Sequence, residues 1–157
     1  MRLATAPLLL LCASAPRAVP DSTTLTLSPG YTVGLPAGYC VERSKGPDFV
    51  VLYVRDQAAP KKPVLAGIYG GHNPRQPECA NGKTRQWTAN GLSFKSARGS
   101  EGCAEFLVQD GKSSERGFLH LWFGPAAKDH SQLAESLIAS VHPAPMPVNP
   151  SEPPACK

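Results

Sequence analysis

The sequence predicts an α+β domain: a mostly antiparallel β-sheet with one C-terminal helix packed on it, stabilised by disulfides. Three observations carry this prediction. Short runs rich in β-branched and aromatic residues alternate with period two and are separated by hairpin-type turns. One stripe of apolar residues at helical spacing follows them near the C-terminus. Four cysteines, an even number, lie in the body of the chain.

Residues 1–15 read as a signal peptide. Arg2 precedes the apolar run Leu8 to Leu11, and the small residues Ala13-Ser14-Ala15 follow. The run is too short to span a bilayer as a helix. Leu9-Leu10-Leu11-Cys12 also resembles a lipoprotein signal, which would anchor the chain to a membrane through Cys12. Such signals carry a small residue where Leu11 stands. Removing the leader leaves about 140 residues, the length of one domain. Residues 16–142 form that domain, and residues 143–157 form a proline-rich tail.

Leu25 and Leu27 alternate with Thr24 and Thr26 as a first strand, and Pro29-Gly30 turns the chain. Tyr31, Val33 and Leu35 form a second strand ending at Pro36. In Phe49 to Arg55, Val50, Leu52 and Val54 share one face, while Val51, Tyr53 and Arg55 share the other. Asp56 to Pro63 is a turn, and Val64 to Tyr69 the next strand. Gly70 to Cys79 holds two glycines and two prolines and reads as an irregular loop. Arg85 to Thr88 and Leu92 to Ala97 flank Asn90-Gly91, a two-residue hairpin signal. Cys103 to Val108 and Gly117 to Phe123 complete six to eight strands. In the last of these Leu119, Leu121 and Phe123 face one way, Phe118, His120 and Trp122 the other.

Asp129 is a good helix N-cap, and Gln132 follows it in a capping-box-like pair. Leu133, Leu137, Ile138 and Val141 make the apolar stripe, and Pro143 ends the helix. Beyond it, prolines recur every two or three residues. That composition favours an extended conformation able to reach across the domain.

Cys40, Cys79, Cys103 and Cys156 are expected to form two disulfides, since an exported chain meets an oxidising compartment. The favoured pairing is Cys79 with Cys103 and Cys40 with Cys156. No cysteines stand two to four residues apart, so no metal site is expected. No cofactor is expected either.

Tyr31-Thr32-Val33-Gly34-Leu35-Pro36-Ala37-Gly38-Tyr39 is similar to the opening of exported PsbP-like and DcrB-like domains. Leu133 to Val141 resembles their last helix. The likeness covers about 20 residues at the two ends. It implies a small α/β sandwich, mostly without catalysis. The cysteines and the glycine-rich loop do not belong to that pattern.

The loop Gly70-Gly71-His72-Asn73-Pro74-Arg75 is the most suggestive stretch for binding. Glycine lets backbone approach a ligand, His72 exchanges protons near neutral pH, and Arg75 can grip an anion. The plainer alternative is a turn that positions Cys79. His120 beside Phe118 and Trp122 resembles a recognition surface, the alternative being a half-buried histidine. His130 and His142, at the two ends of the helix, are expected to be solvated. Residues 43–98 carry ten Lys/Arg against three Asp/Glu, and residues 99–157 four against seven. This asymmetry suggests a basic face for an acidic partner, drawn from Arg43, Lys45, Lys61, Lys62, Arg75, Lys83 and Arg85.

There is no Gly-x-Ser-x-Gly elbow and no clustered pair of carboxylates, which argues against an enzyme. The binding residues expected are His72, Asn73, Arg75, His120, Trp122, Lys61, Lys62 and Arg85. The leading expectation is a periplasmic or secreted, non-enzymatic protein-binding domain of inhibitor or toxin-immunity type. Its partner would carry an acidic surface, and nucleic acid is not expected. The alternatives are a structural or accessory envelope factor, as the PsbP-like resemblance implies, and a small hydrolase.

Overall fold

A computed structural model of the chain describes residues 22–27, 30–61, 63–79, 81–111, 116–145 and 154–156. The signal peptide, Cys12, Lys62 and most of the proline-rich tail lie outside the described residues. No helix among those described is long and apolar enough to cross a membrane.

The strands are β1 (Ser22–Leu27), β2 (Tyr31–Pro36), β3 (Tyr39–Lys45), β4 (Phe49–Asp56), β5 (Ala66–Gly71), β6 (Lys83–Ala89), β7 (Leu92–Arg98), β8 (Ala104–Asp110), β9 (Phe118–Phe123) and β10 (His142–Pro143). The helix α1 spans Ser131–Ala139. Seven strands build a large antiparallel sheet in the order β3-β4-β5-β9-β8-β7-β6, and three build a small one in the order β1-β2-β10. The predicted α+β class holds: antiparallel sheet, one α-helix and two disulfides.

Alternation explains how the layers meet. Val50, Leu52 and Val54 of β4 stand beside Ile68 of β5 and Leu119 and Leu121 of β9, all buried on one face. Phe106 and Val108 of β8 and Phe94 of β7 extend that face. Leu25 and Leu27 of β1, Tyr31, Val33 and Leu35 of β2, and Leu133 and Leu137 of α1 close over it in a single cluster. Each fully buried Leu, Ile or Phe side chain contributes about 1.5–3 kcal/mol of transfer free energy. Tyr31 also fixes the two sheets by polar contacts. Its hydroxyl donates to Gly117 O at 3.0 Å and accepts the Asp110 N–H at 3.1 Å. Arg116 pairs with Asp110 at 2.7 Å and donates to Gly30 O at 3.2 Å.

Several boundaries differ from the sequence reading. Strand β3 was not foreseen, because only Tyr39, Cys40 and Val41 at its start are shielded and Glu42 to Lys45 are exposed at a sheet edge. Strand β5 starts at Ala66 and runs through Gly71, so Gly70 and Gly71 belong to the sheet and not to the loop. Both glycines have partners on each side, in β4 and in β9. The N-terminal boundary position of the helix is His130, which makes no side-chain capping bond, and not Asp129, because a 3₁₀ turn over Pro125–His130 leads into it. It also stops at Ala139, ahead of Pro143. There Ser140 Oγ accepts the Gly34 N–H at 2.8 Å and donates to Leu137 O at 2.9 Å.

The described parts of the tail pair with both sheets. His142 and Pro143 pair with β2, and buried Ala144 donates to Gly30 O at 2.8 Å. Residues 154–156 run parallel to β3, bridged at Val41 and Ala155. The expected disulfides Cys40–Cys156 and Cys79–Cys103 are both formed. The hairpin at Asn90-Gly91 is also as predicted, with φ of 53° and 74° in the left-handed region that a type I′ turn needs.

Candidate functional site

The outer face of the large sheet is not covered by the small sheet or the helix. Alternation delivers to it Phe49, Val51 and Tyr53 from β4, Tyr69 from β5, and Phe118, His120 and Trp122 from β9. Two glycines of β5 make room for aromatic rings to lie flat. A Cβ at Gly67 would overlap the Trp122 indole, and one at Gly71 would overlap the Tyr69 ring. Phe49 stacks on Tyr69 with ring centroids 5.9 Å apart, and Tyr53 meets Trp122 edge-on at 6.4 Å. His120 lies tilted beside Trp122 at 5.6 Å. Aromatic pairs of this kind contribute about 0.5–1.5 kcal/mol beyond their buried area. Phe49 is 37 % exposed, the only large apolar side chain so open among the described residues.

The loop from His72 to Cys79 folds back over one side of this face and is fastened at several points. The Asn73 N–H donates to the Tyr69 hydroxyl at 3.1 Å. Lys95 Nζ on β7 donates to Gln76 Oε1 at 3.1 Å. The Glu78 N–H donates to Glu105 Oε2 on β8 at 3.1 Å. Cys79 closes the loop through its disulfide to Cys103, just before β8. Pro77 and Cys79 are buried, whereas His72, Asn73 and Arg75 are exposed. Arg75 forms an exposed ion pair with Glu78 at 3.5 Å.

Beneath the loop lies His120, 6 % exposed. Its Nε2 donates to Glu105 Oε2 at 3.3 Å, the same oxygen that holds the Glu78 N–H. Burial pushes the His120 imidazole below its ordinary pKa; the Glu105 carboxylate opposes that shift and Arg75 adds to it. Next to this pair a groove of about 640 Å³ opens over Leu107 and Phe118, with Gln76, Gln86, Lys95 and Gln109 around it.

The structure therefore joins some of the sequence-predicted residues and separates others. His72, Asn73, Arg75, His120 and Trp122 share the outer face or the loop that covers it. Lys61 lies at the opposite edge, in a hollow beside Arg43 of β3 and Cys156 of the tail segment paired with it. Arg85 projects from β6 toward the helix side of the sheet, beside Trp87 and Ile138. Strands β3 and β6 are the two edges of the sheet, about 29 Å apart at a spacing of about 4.8 Å per strand. The described cations Lys61, Arg75 and Arg85 thus do not share one face. His130 is tied to the Tyr39 hydroxyl at 3.1 Å, so it is not simply solvated, while His142 is exposed.

Tyr69, Glu105 and Phe49 are the members of the site that sequence reasoning missed. Glu105 alternates with buried Phe106 on β8, which puts it on the outer face with Leu107, but its meeting with His120 depends on the register between β8 and β9. Cys79, Cys103 and Glu105 offer three atoms close enough for a metal ion. Both sulfurs are engaged in the disulfide, so they are not available as thiolate ligands.

No family model, characterised protein or solved structure matches this chain. The two disulfides are those of a protein from an oxidising, non-cytoplasmic environment.

Proposed function

We propose that this chain is an exported, non-enzymatic protein-binding domain of the cell envelope, of inhibitor or toxin-immunity type. It presents the uncovered aromatic face of its large sheet, and the loop His72 to Cys79, to another protein. The observation that carries this reading is the fastening of that loop. A segment with exposed His72, Asn73 and Arg75 is held by a disulfide, by Glu105, by Lys95 and by Tyr69 against a face that no other layer of the described residues covers. Ordering such a loop before encounter removes an entropic cost that binding would otherwise carry. Half-buried aromatics beside it supply apolar contact area at small rotamer cost. On this face Arg75 is paired with Glu78, and the Glu105 carboxylate is held by hydrogen bonds from His120 and the Glu78 N–H. Contact there rests on shape and aromatic burial more than on net charge. The N-terminal leader and the disulfides favour a periplasmic or secreted location.

The test is co-purification from the periplasm of cells producing the full chain, beside the variants Phe49→Asp and Arg75→Glu. The expected result is one stoichiometric protein partner with the unmodified chain and its loss with both variants. Recovery of the lone monomer at micromolar concentration would overturn the reading, as would a partner retained equally by both variants.

A further inference from the structure

The two edges of the large sheet are treated differently. At the β3 edge the chain covers itself. The Val41 N–H donates to Pro154 O at 2.9 Å, the Cys156 N–H donates to Val41 O at 3.2 Å, and the Cys40–Cys156 disulfide locks the segment down. At the β6 edge, β7 pairs with one side of the strand, and no described residue pairs with the other. Lys83 to Gln86 and Thr88 are exposed along it. An open strand edge is a row of backbone donors and acceptors ready for another strand.

Beneath that edge a groove of about 600 Å³ runs between β6, β7 and α1. Trp87, Phe106 and Ile138 line its apolar part. Lys83, Arg85 and Arg98 line its polar part, with Glu135 the one carboxylate. None of the three cations forms an ion pair with a described residue. Two lie over rings instead: Arg85 is 5.8 Å from the Trp87 centroid and Arg98 is 5.4 Å from that of Phe106. Cations resting on aromatic faces keep their charge available to an incoming anion.

We infer that β6 is the docking edge for an extended acidic segment of another protein, which adds to the sheet as a further strand. Main-chain hydrogen bonds to β6 give it register, and its alternate carboxylates meet Lys83, Arg85 and Arg98. A second copy of this chain does not fit, because antiparallel pairing of β6 with itself sets Lys83 and Arg85 of both copies on one face. Cations on an edge strand ordinarily deter self-pairing, and an acidic strand converts that deterrent into attraction. This surface is separate from the loop-bearing face proposed above, and either can fail without the other.

The probe is a capped heptapeptide in which Glu and Val alternate, labelled and titrated with the full oxidised chain by fluorescence anisotropy. Three companions define the result: the same peptide with Lys for Glu, the Glu peptide N-methylated at alternate amides, and the Lys83→Glu/Arg85→Glu variant of the protein. Binding of the Glu peptide is expected, weaker by about tenfold for the Lys peptide and for the double variant, since two reversed cross-strand charge pairs amount to about that factor, and weaker for the N-methylated peptide, which has lost the main-chain donors that pair with β6. The double variant is also expected to prefer the Lys peptide, and Phe49→Asp to leave Glu-peptide binding unchanged. Equal binding of the Lys peptide, equal binding of the N-methylated peptide, or no binding of the Glu peptide at millimolar concentration would overturn the inference. The two peptide controls use the unaltered protein, so the result stands even where the double variant does not fold.

Discussion

His120 and Glu105, on adjacent strands of the large sheet, share a hydrogen bond of 3.3 Å, and the same carboxylate oxygen of Glu105 receives the Glu78 N–H at 3.1 Å. One side chain therefore satisfies a buried imidazole and pins the loop that covers it. Glu105→Ala removes both bonds and leaves the His120 N–H without its acceptor. A stability loss of about 1–3 kcal/mol is expected. Urea unfolding measures it, and limited proteolysis should show new cleavage between His72 and Glu78. A variant of unchanged stability and unchanged cleavage would mean that Glu105 does not hold the loop.

Stability is expected to fall on mild acidification. Burial holds His120 below its ordinary value of 6.5. As pH drops through 6.5 the unfolded chain takes up a proton that the folded chain still refuses, which favours unfolding. The loss continues until the lower folded value is reached and then levels off. His120→Gln removes this part of the pH dependence. Comparing urea midpoints at about pH 7.5 and about pH 5.5 for both proteins decides it. An equal drop in the two would assign the acid sensitivity elsewhere.

Both disulfides contribute through the loops they close. Cys79–Cys103 spans 24 residues and Cys40–Cys156 spans 116. By chain entropy the paired Ser variants should lose about 3.5 and about 5 kcal/mol respectively. The second variant also releases residues 154–156 from β3, so it should aggregate more readily than the first. Non-reducing mass analysis of the chain should show a mass lower by four hydrogen atoms than the reduced form, and a loss of two or none would contradict the pairing.

Gly67 is the seat of the Trp122 indole. Gly67→Ala should lift the ring off the sheet, with a cost of about 1–3 kcal/mol from overpacking. The emission of Trp122 should shift to longer wavelength as it meets water. Because Trp87 also emits, the measurement is made in a Trp87→Phe background. An unshifted spectrum would show that the ring does not rest on Gly67.

Much of the fold was legible because alternation and turn chemistry are local. Val50, Leu52 and Val54, and Leu119, Leu121 and Phe123, declared the inward face of their strands, and Asn90-Gly91 declared its hairpin. Strand β3 was not legible, since an edge strand buries too little to need a full apolar pattern. The helix start was misplaced for a related reason: Asp129 satisfies the capping rule, but the packed 3₁₀ turn before Ser131 decides where the helix begins.

The sequence by itself determined the antiparallel α+β class, the even cysteine set and the outward row Phe118, His120 and Trp122, because each follows from near-neighbour chemistry along the chain. Only the tertiary structure decided that β5 pairs with β9, which brings Tyr69 and Gly67 beside His120 and Trp122. It also set Glu105 against His120, and it parted Lys61 from Arg85 by the width of the sheet. Strand order and register are fixed by how buried faces match across distant segments, and that matching has no signature within any one of them.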